Sequence, residues 1–208
     1  MSQAPSTITI YVGNLPLDVT EVELADLFSP YGEVYSTKCL HHRTPPCDNG
    51  FVEMTLEEGQ QAIKALHDQE FQGCKLHVQQ TAMVLTVEDS IEECILFNLL
   101  MRYQGYYSQF VQTGQDALQH FRTTIPDICL IELNLPDLDG LEVVKLIQNI
   151  PELNKMGVIL MRAGAFNLEL GPRIDAQLFR PIVMRDIEKQ IKMVLTKYGK
   201  SHLIVRRD

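Results

Sequence analysis

The hydrophobic and polar positions change rhythm once along the chain, near residue 81. Before that point short alternating runs dominate. Residues 7–12 place Ile8, Ile10 and Val12 on one face and Thr7, Thr9 and Tyr11 on the other, which predicts a half-buried strand. Pro16-Leu17-Asp18 breaks the run. Thr20 and Glu23 stand at capping-box spacing, and Leu24, Leu27 and Phe28 supply the buried stripe of a short helix. Gly32 ends that segment and residues 34–40 form a β-rich run. Residues 41–49 contain Pro45-Pro46 and predict a loop or hairpin. Residues 51–54 predict a third strand, Thr55 and Glu58 cap a second helix with Ala62, Ile63 and Leu66 inward, and Leu76 and Val78 mark a last strand.

After residue 81 the runs become almost continuously apolar: 83–87, 128–133 and 157–161. Helical stretches such as 91–102 and 140–150 separate them. Strands apolar on both faces and alternating with helices predict a parallel sheet covered on both sides. Pro181 opens a last helix whose stripe is Ile187, Ile191, Val194, Leu195 and Tyr198, a core stripe or a partner surface. About four residues separate the two patterns, too few for a flexible linker, so the expected domains are 1–81 and 82–208.

Composition narrows the classes. No apolar run among the 208 residues approaches the ~20 needed to span a bilayer. The opening Met1-Ser2-Gln3-Ala4-Pro5 lacks a basic region followed by an apolar stretch. The five cysteines (39, 47, 74, 94 and 129) include no Cys-x-x-Cys pair. These features predict a cytoplasmic protein in a reducing compartment. The net charge of −9 is uneven. Residues 1–81 hold 4 Lys/Arg and 11 Asp/Glu, a balance of −7, which works against general attraction of phosphate backbones.

If Ile8, Ile10 and Val12 face the helices, Tyr11 points away from them, and Phe51 does the same beside Asn49 and Glu53. Two aromatics on a polar, helix-free sheet face form either a stacking platform for unpaired bases or a cover against another domain. Ile10-Tyr11-Val12-Gly13-Asn14-Leu15 resembles the first-strand motif of the RNA-recognition-motif family, and Asn49-Gly50-Phe51-Val52-Glu53-Met54 resembles the end of its third-strand octamer. Leu27-Phe28-Ser29-Pro30-Tyr31-Gly32-Glu33-Val34 and Ala62-Ile63-Lys64-Ala65-Leu66 match as well. The resemblance, over residues 6–80, implies an α+β ferredoxin-like fold (βαββαβ) that binds single-stranded RNA. Tyr11 and Phe51 would stack bases, with Asn49 in place of the third aromatic and Lys38, Lys75 and His77 as polar helpers. Cys47 and Asp48 stand where the octamer has a basic residue and glycine, so a phosphate contact is missing. Cys39, His41, His42 and Cys47 are zinc-ligand types, but their spacing matches no common zinc pattern and no metal is expected.

In the second half, Glu88-Asp89 and Glu132 fall at the ends of predicted strands, the edge where open parallel sheets build sites. Val84-Leu85-Thr86-Val87-Glu88-Asp89-Ser90 resembles the acidic-pair strand of the response-regulator receiver family. Residues 127–140 resemble its phosphorylation strand and loop, and Phe179-Arg180-Pro181 its Lys-Pro step. This resemblance covers 82–199 and implies an α/β flavodoxin-like fold with a five-stranded parallel sheet, in a bacterial signalling context. The phosphorylation pocket reads as degenerate: Glu132 replaces the acceptor aspartate, Arg162 the switch hydroxyl and Arg180 the lysine. A methylene of misplacement is enough to cost about 100-fold in such chemistry. The expectation is that Glu88, Asp89 and Glu132 meet Arg162 and Arg180, with Glu132 paired to one arginine, and that aspartyl phosphorylation is absent. Gln177 replaces the family's switch aromatic, and Lys200, Arg206 and Arg207 form a short basic tail.

No Cys/His or Ser/His pairing and no Gly-rich phosphate loop is identifiable, so neither catalysis nor a cofactor is expected. The leading reading is a regulatory RNA-binding protein whose receiver-like domain mediates homodimerisation or binds a protein partner. The alternative is a protein-interaction scaffold whose acidic first domain binds protein in place of RNA.

Overall fold

The computed structural model describes residues 7–40, 48–164 and 173–205. The chain divides into two units, residues 1–81 and 82–204, and Val205 groups with the first. Both predicted folds are present.

In the first unit, β1 (Thr7–Leu15) leads into α1 (Glu21–Phe28), then β2 (Val34–Leu40), β3 (Asp48–Thr55) and α2 (Leu56–Leu66). A two-stranded hairpin, β4 (Glu70–Phe71) and β5 (Cys74–Lys75), precedes β6 (His77–Gln80). The four-stranded antiparallel sheet has the order β2-β3-β1-β6. Thr20 starts α1 with a complete capping box: its hydroxyl accepts from the Glu23 N–H and the Glu23 carboxylate accepts from the Thr20 N–H. Period-two alternation puts Ile8, Ile10, Val12, Val52, Met54 and Val78 into one core with Leu24 and Phe28 of α1 and Ala62 and Leu66 of α2. The other sheet face is left to Tyr11, Phe51 and their neighbours.

The second unit comprises β7 (Met83–Val87), α3 (Ile91–Tyr103), β8 (Tyr107–Val111), α4 (Gly114–His120), β9 (Ile128–Glu132), α5 (Gly140–Ile147), β10 (Gly157–Ala163), β11 (Ala176–Arg180) and α6 (Met184–Lys197). All five strands run parallel in the order β11-β10-β9-β7-β8. Two cores flank the sheet. Val84, Ile128, Leu130, Ile159, Met161 and Leu178 pack with α3 and α6, while Leu85, Val87, Cys129, Ile131, Val158 and Leu160 pack with α4 and α5. The stripe of α6 is therefore core: Ile187, Ile191, Val194 and Leu195 are buried. Lys200, read as part of a basic tail, is paired with Asp127 at 2.6 Å, and Arg206 and Arg207 lie outside the described residues.

Candidate functional site

In the first unit the register decides which residues share the helix-free face. Lys38 pairs with Phe51, Phe51 with Tyr11 and Tyr11 with Gln79, so one row crosses all four strands. His77 is two residues from Gln79 on β6 and accordingly lies on the same face. The Tyr11 and Phe51 ring centroids are 5.9 Å apart, and His77 presents an edge to Tyr11 at 6.3 Å. The Tyr11 hydroxyl donates to Asn49 Oδ1 at 2.9 Å, which ties Asn49 into the cluster. Gly13 makes this possible, because a Cβ there would lie 2.7 Å from the Tyr11 hydroxyl oxygen. His77 Nε2 and Gln79 Oε1 are 3.0 Å apart.

Two expectations need correction. Lys75 belongs to β5, not to the four-stranded sheet; its ammonium pairs with Asp68 at 3.2 Å and its carbonyl accepts from Asn14. The aromatic pair is not an open platform: Tyr11 is 6% exposed and Phe51 2%. A base can stack on either ring only after this face opens. Gln79 is a member of the row that sequence reasoning missed, although its two-residue spacing from His77 was visible. His41, His42 and Cys47 lie outside the described residues.

In the second unit, strand parity assembles the pocket. Glu132 is in phase with Ile128 and Leu130, Glu88 with Val84, and Arg180 with Leu178, so all three emerge on the α3/α6 side at the C-terminal edge of the sheet. The Arg180 guanidinium sits among the carboxylates. Its Nη2 donates to Glu88 Oε2 at 2.6 Å and to Glu132 Oε2 at 2.9 Å, its Nε donates to Glu132 Oε2 at 3.1 Å, and its Nη1 donates to Glu93. The second oxygens are satisfied by backbone: Ser90 N–H donates to Glu88 Oε1 and Asn134 N–H to Glu132 Oε1. Gly140 lets the loop after β9 close over the strand end, since a Cβ there would lie 2.3 Å from the Glu132 carbonyl oxygen.

Glu93 was missed because it reads as a helix cap. Its N–H does donate to the capping Ser90 hydroxyl oxygen, but its side chain goes to Arg180. Asp89 and Arg162 do not join: Asp89 lies beyond the end of β7, and Arg162 is one residue out of phase with the pocket. Asp89 follows Glu88 and is exposed, while its carbonyl accepts from Gln112. Arg162 is in phase with Val158 and Leu160. It is buried, donates from Nε to the Gly164 carbonyl at 3.1 Å, and lies over the Phe179 ring, its register partner, at 5.4 Å.

Electrostatics follow from this geometry. Burial pushes the Glu88 carboxyl up to about 7, with the charges of Glu93 and Glu132 adding to it and the Ser90 N–H and Arg180 opposing. Partial burial works against the charge of Arg180, but its hydrogen bonds to Glu93 and Glu132 and the charge of Glu88 outweigh that and raise its pKa. The buried thiols hold their protons: burial and the nearby Glu88, Asp89 and Glu93 charges push Cys94 up to about 11, and burial pushes Cys129 up to about 12. A divalent cation on these carboxylates would have to displace a guanidinium from the same oxygens. Among the described residues no helix is long and apolar enough to cross a membrane.

Comparison with known proteins gives these two units their relatives. Residues 10–77 match the family model of the RNA recognition motif, and residues 84–169 that of the response regulator receiver domain. The polar-differentiation response regulator DivK of Brucella ovis is 35% identical over 85 residues, covering 41% of this chain and 69% of DivK. The CheY-like receiver domain from Methylobacillus flagellatus superposes with a TM-score of 0.50 at 28% identity, covering 55% of this chain and 98% of that one. The receiver domain of a signal transduction histidine kinase from Syntrophus aciditrophicus shares the fold, with a TM-score of 0.54 at 22% identity over 62% of this chain and 100% of that one.

Proposed function

The chain belongs to the response-regulator receiver family and carries an RNA recognition motif ahead of that domain, and from this premise we propose that it is an RNA-binding regulator whose receiver domain is not switched by aspartyl phosphorylation. It acts by binding and not by catalysis. The receiver domain serves as an interaction module, for a second copy of the chain or for another protein.

The observation that carries this reading is the Arg180 guanidinium held by Glu88, Glu93 and Glu132. It supplies internally the positive charge that an acidic pocket otherwise takes from a metal ion, and it pins the acceptor-position carboxylate at both oxygens together with Asn134. The RNA half rests on the row of Lys38, Phe51, Tyr11 and Gln79. Stacking contributes ~1–3 kcal/mol per base, so two rings contribute about 2–6 kcal/mol and support binding on the order of 1 mM once the face is open, with the −7 balance of residues 1–81 opposing it. The burial of Tyr11 and Phe51 favours a second reading, in which this face binds protein.

Fluorescence anisotropy with short single-stranded RNA pools separates the two. Wild type is expected to bind weakly and without a gain at low salt, because the acidic balance of residues 1–81 repels phosphate most when it is least screened, and Tyr11→Ala/Phe51→Ala at least tenfold more weakly. If neither protein binds at millimolar concentration, the RNA reading fails and the protein-binding reading stands. Incubation with acetyl phosphate and Mg²⁺ is expected to leave the mass unchanged; a stoichiometric phosphoryl adduct would defeat the unphosphorylated receiver.

A further inference from the structure

Helix α3 is apolar on two opposite faces. Cys94, Phe97 and Met101 are buried in or beside the core of the second unit. On the far side Ile91 (40% exposed), Ile95 (50%), Leu96 (52%) and Leu99 (59%) stand in solvent. At 100° per residue these four occupy an arc centred nearly opposite Phe97. A surface helix of a monomer normally turns charged residues outward here, so four large apolar side chains on one face mark a contact surface.

The same face carries two charges, and their placement identifies the occupant. Glu92 is exposed in the first turn and Arg102 lies in the last. Arg102 makes no ion pair among the described residues, and its Nε is buried there without a hydrogen-bond partner. Glu92 and Arg102 are equidistant from residue 97, each about 7.5 Å along the axis, and Ile95 and Leu99 are equidistant from it too. A pattern with acid at one end, base at the other and apolar residues mirrored about the centre is complementary to itself when reversed. We propose that α3 is the homodimer interface of this protein, pairing antiparallel with α3 of a second copy about a two-fold axis level with Phe97. Glu92 then meets the partner's Arg102 twice, and Ile95 and Leu99 interdigitate with their counterparts between these charge pairs. The inference rests on the receiver domain serving as an interaction module, and it places that role on α3 and not on α6, whose stripe is core.

One helix face is a small interface, so the expected dissociation constant is on the order of 10 μM. Sedimentation equilibrium of the full chain from about 1 to 300 μM tests it. Wild type should pass from monomer to dimer, and Leu99→Asp, an exposed position, should weaken association at least about 100-fold while circular dichroism is unchanged. Glu92→Arg and Arg102→Glu each place like charges opposite each other twice and should weaken it about tenfold; the double charge swap should return it to within about twofold of wild type. A wild type that stays monomeric, a dimer indifferent to Leu99→Asp, or a double swap that restores nothing overturns the proposal. An indifferent dimer leaves the interaction-module reading intact on another surface. A monomer leaves that reading only a different protein as partner.

Discussion

Replacing Arg180 by methionine removes the cation that Glu88, Glu93 and Glu132 share among the described residues, while keeping most of the side chain's volume. The side chains of Glu88 and Glu132 are 2% and 7% exposed, so the variant leaves two desolvated carboxylates without compensation. Breaking a buried pair in this way costs ~3–5 kcal/mol. Two features lower that figure. Arg180 is itself 26% exposed, and Glu88, already near neutral pKa, can shed its charge by taking a proton. The expected loss is about 2–4 kcal/mol at pH 8, or a melting temperature lower by roughly 10 °C for a unit of this size. It should shrink at pH 5.5, because the orphaned acids then bind protons in the folded state. Urea titration at both pH values measures it. The freed carboxylates should also take up Mg²⁺: at 100 times its dissociation constant the ion would return about 2.7 kcal/mol to the variant and nothing to wild type. A loss below about 0.5 kcal/mol, equal at both pH values, would refute the view that Arg180 holds the pocket together.

Glu88 makes a second test. Its folded pKa of about 7 exceeds the ordinary value of 4.5, so the folded state binds more protons between these values and stability falls as pH rises through that window. The full effect is about 3 kcal/mol, and Glu88→Gln should flatten that part of the stability–pH curve; identical curves for the two proteins contradict the assignment. Gly140→Ala should destabilise the second unit by about 1–3 kcal/mol in urea titration, because its Cβ would press on the Glu132 carbonyl oxygen, and a neutral result would show that the loop has room to move.

Much of this protein was legible in its sequence because alternation and apolar runs report burial directly. Residues 7–12 revealed β1 and both its faces, and the runs at 83–87, 128–133 and 157–161 revealed three strands covered on both sides. The reading of Glu132 at the acceptor position was equally local, since it stands at the end of a recognisable run. What lies across strands was not. Residue type groups Asp89 with Glu88 and Arg162 with Arg180, but Asp89 is exposed beyond the end of β7, strand parity sends Arg162 to the opposite side, and the first turn of α3 brings in Glu93. Alternation placed Tyr11 and Phe51 on one face and they are register partners there, yet whether their rings meet solvent depends on everything packed nearby, and the structure buries them. A residue's direction follows from its neighbours along the chain. Its partner follows from strand order and register, which only the assembled sheet decides.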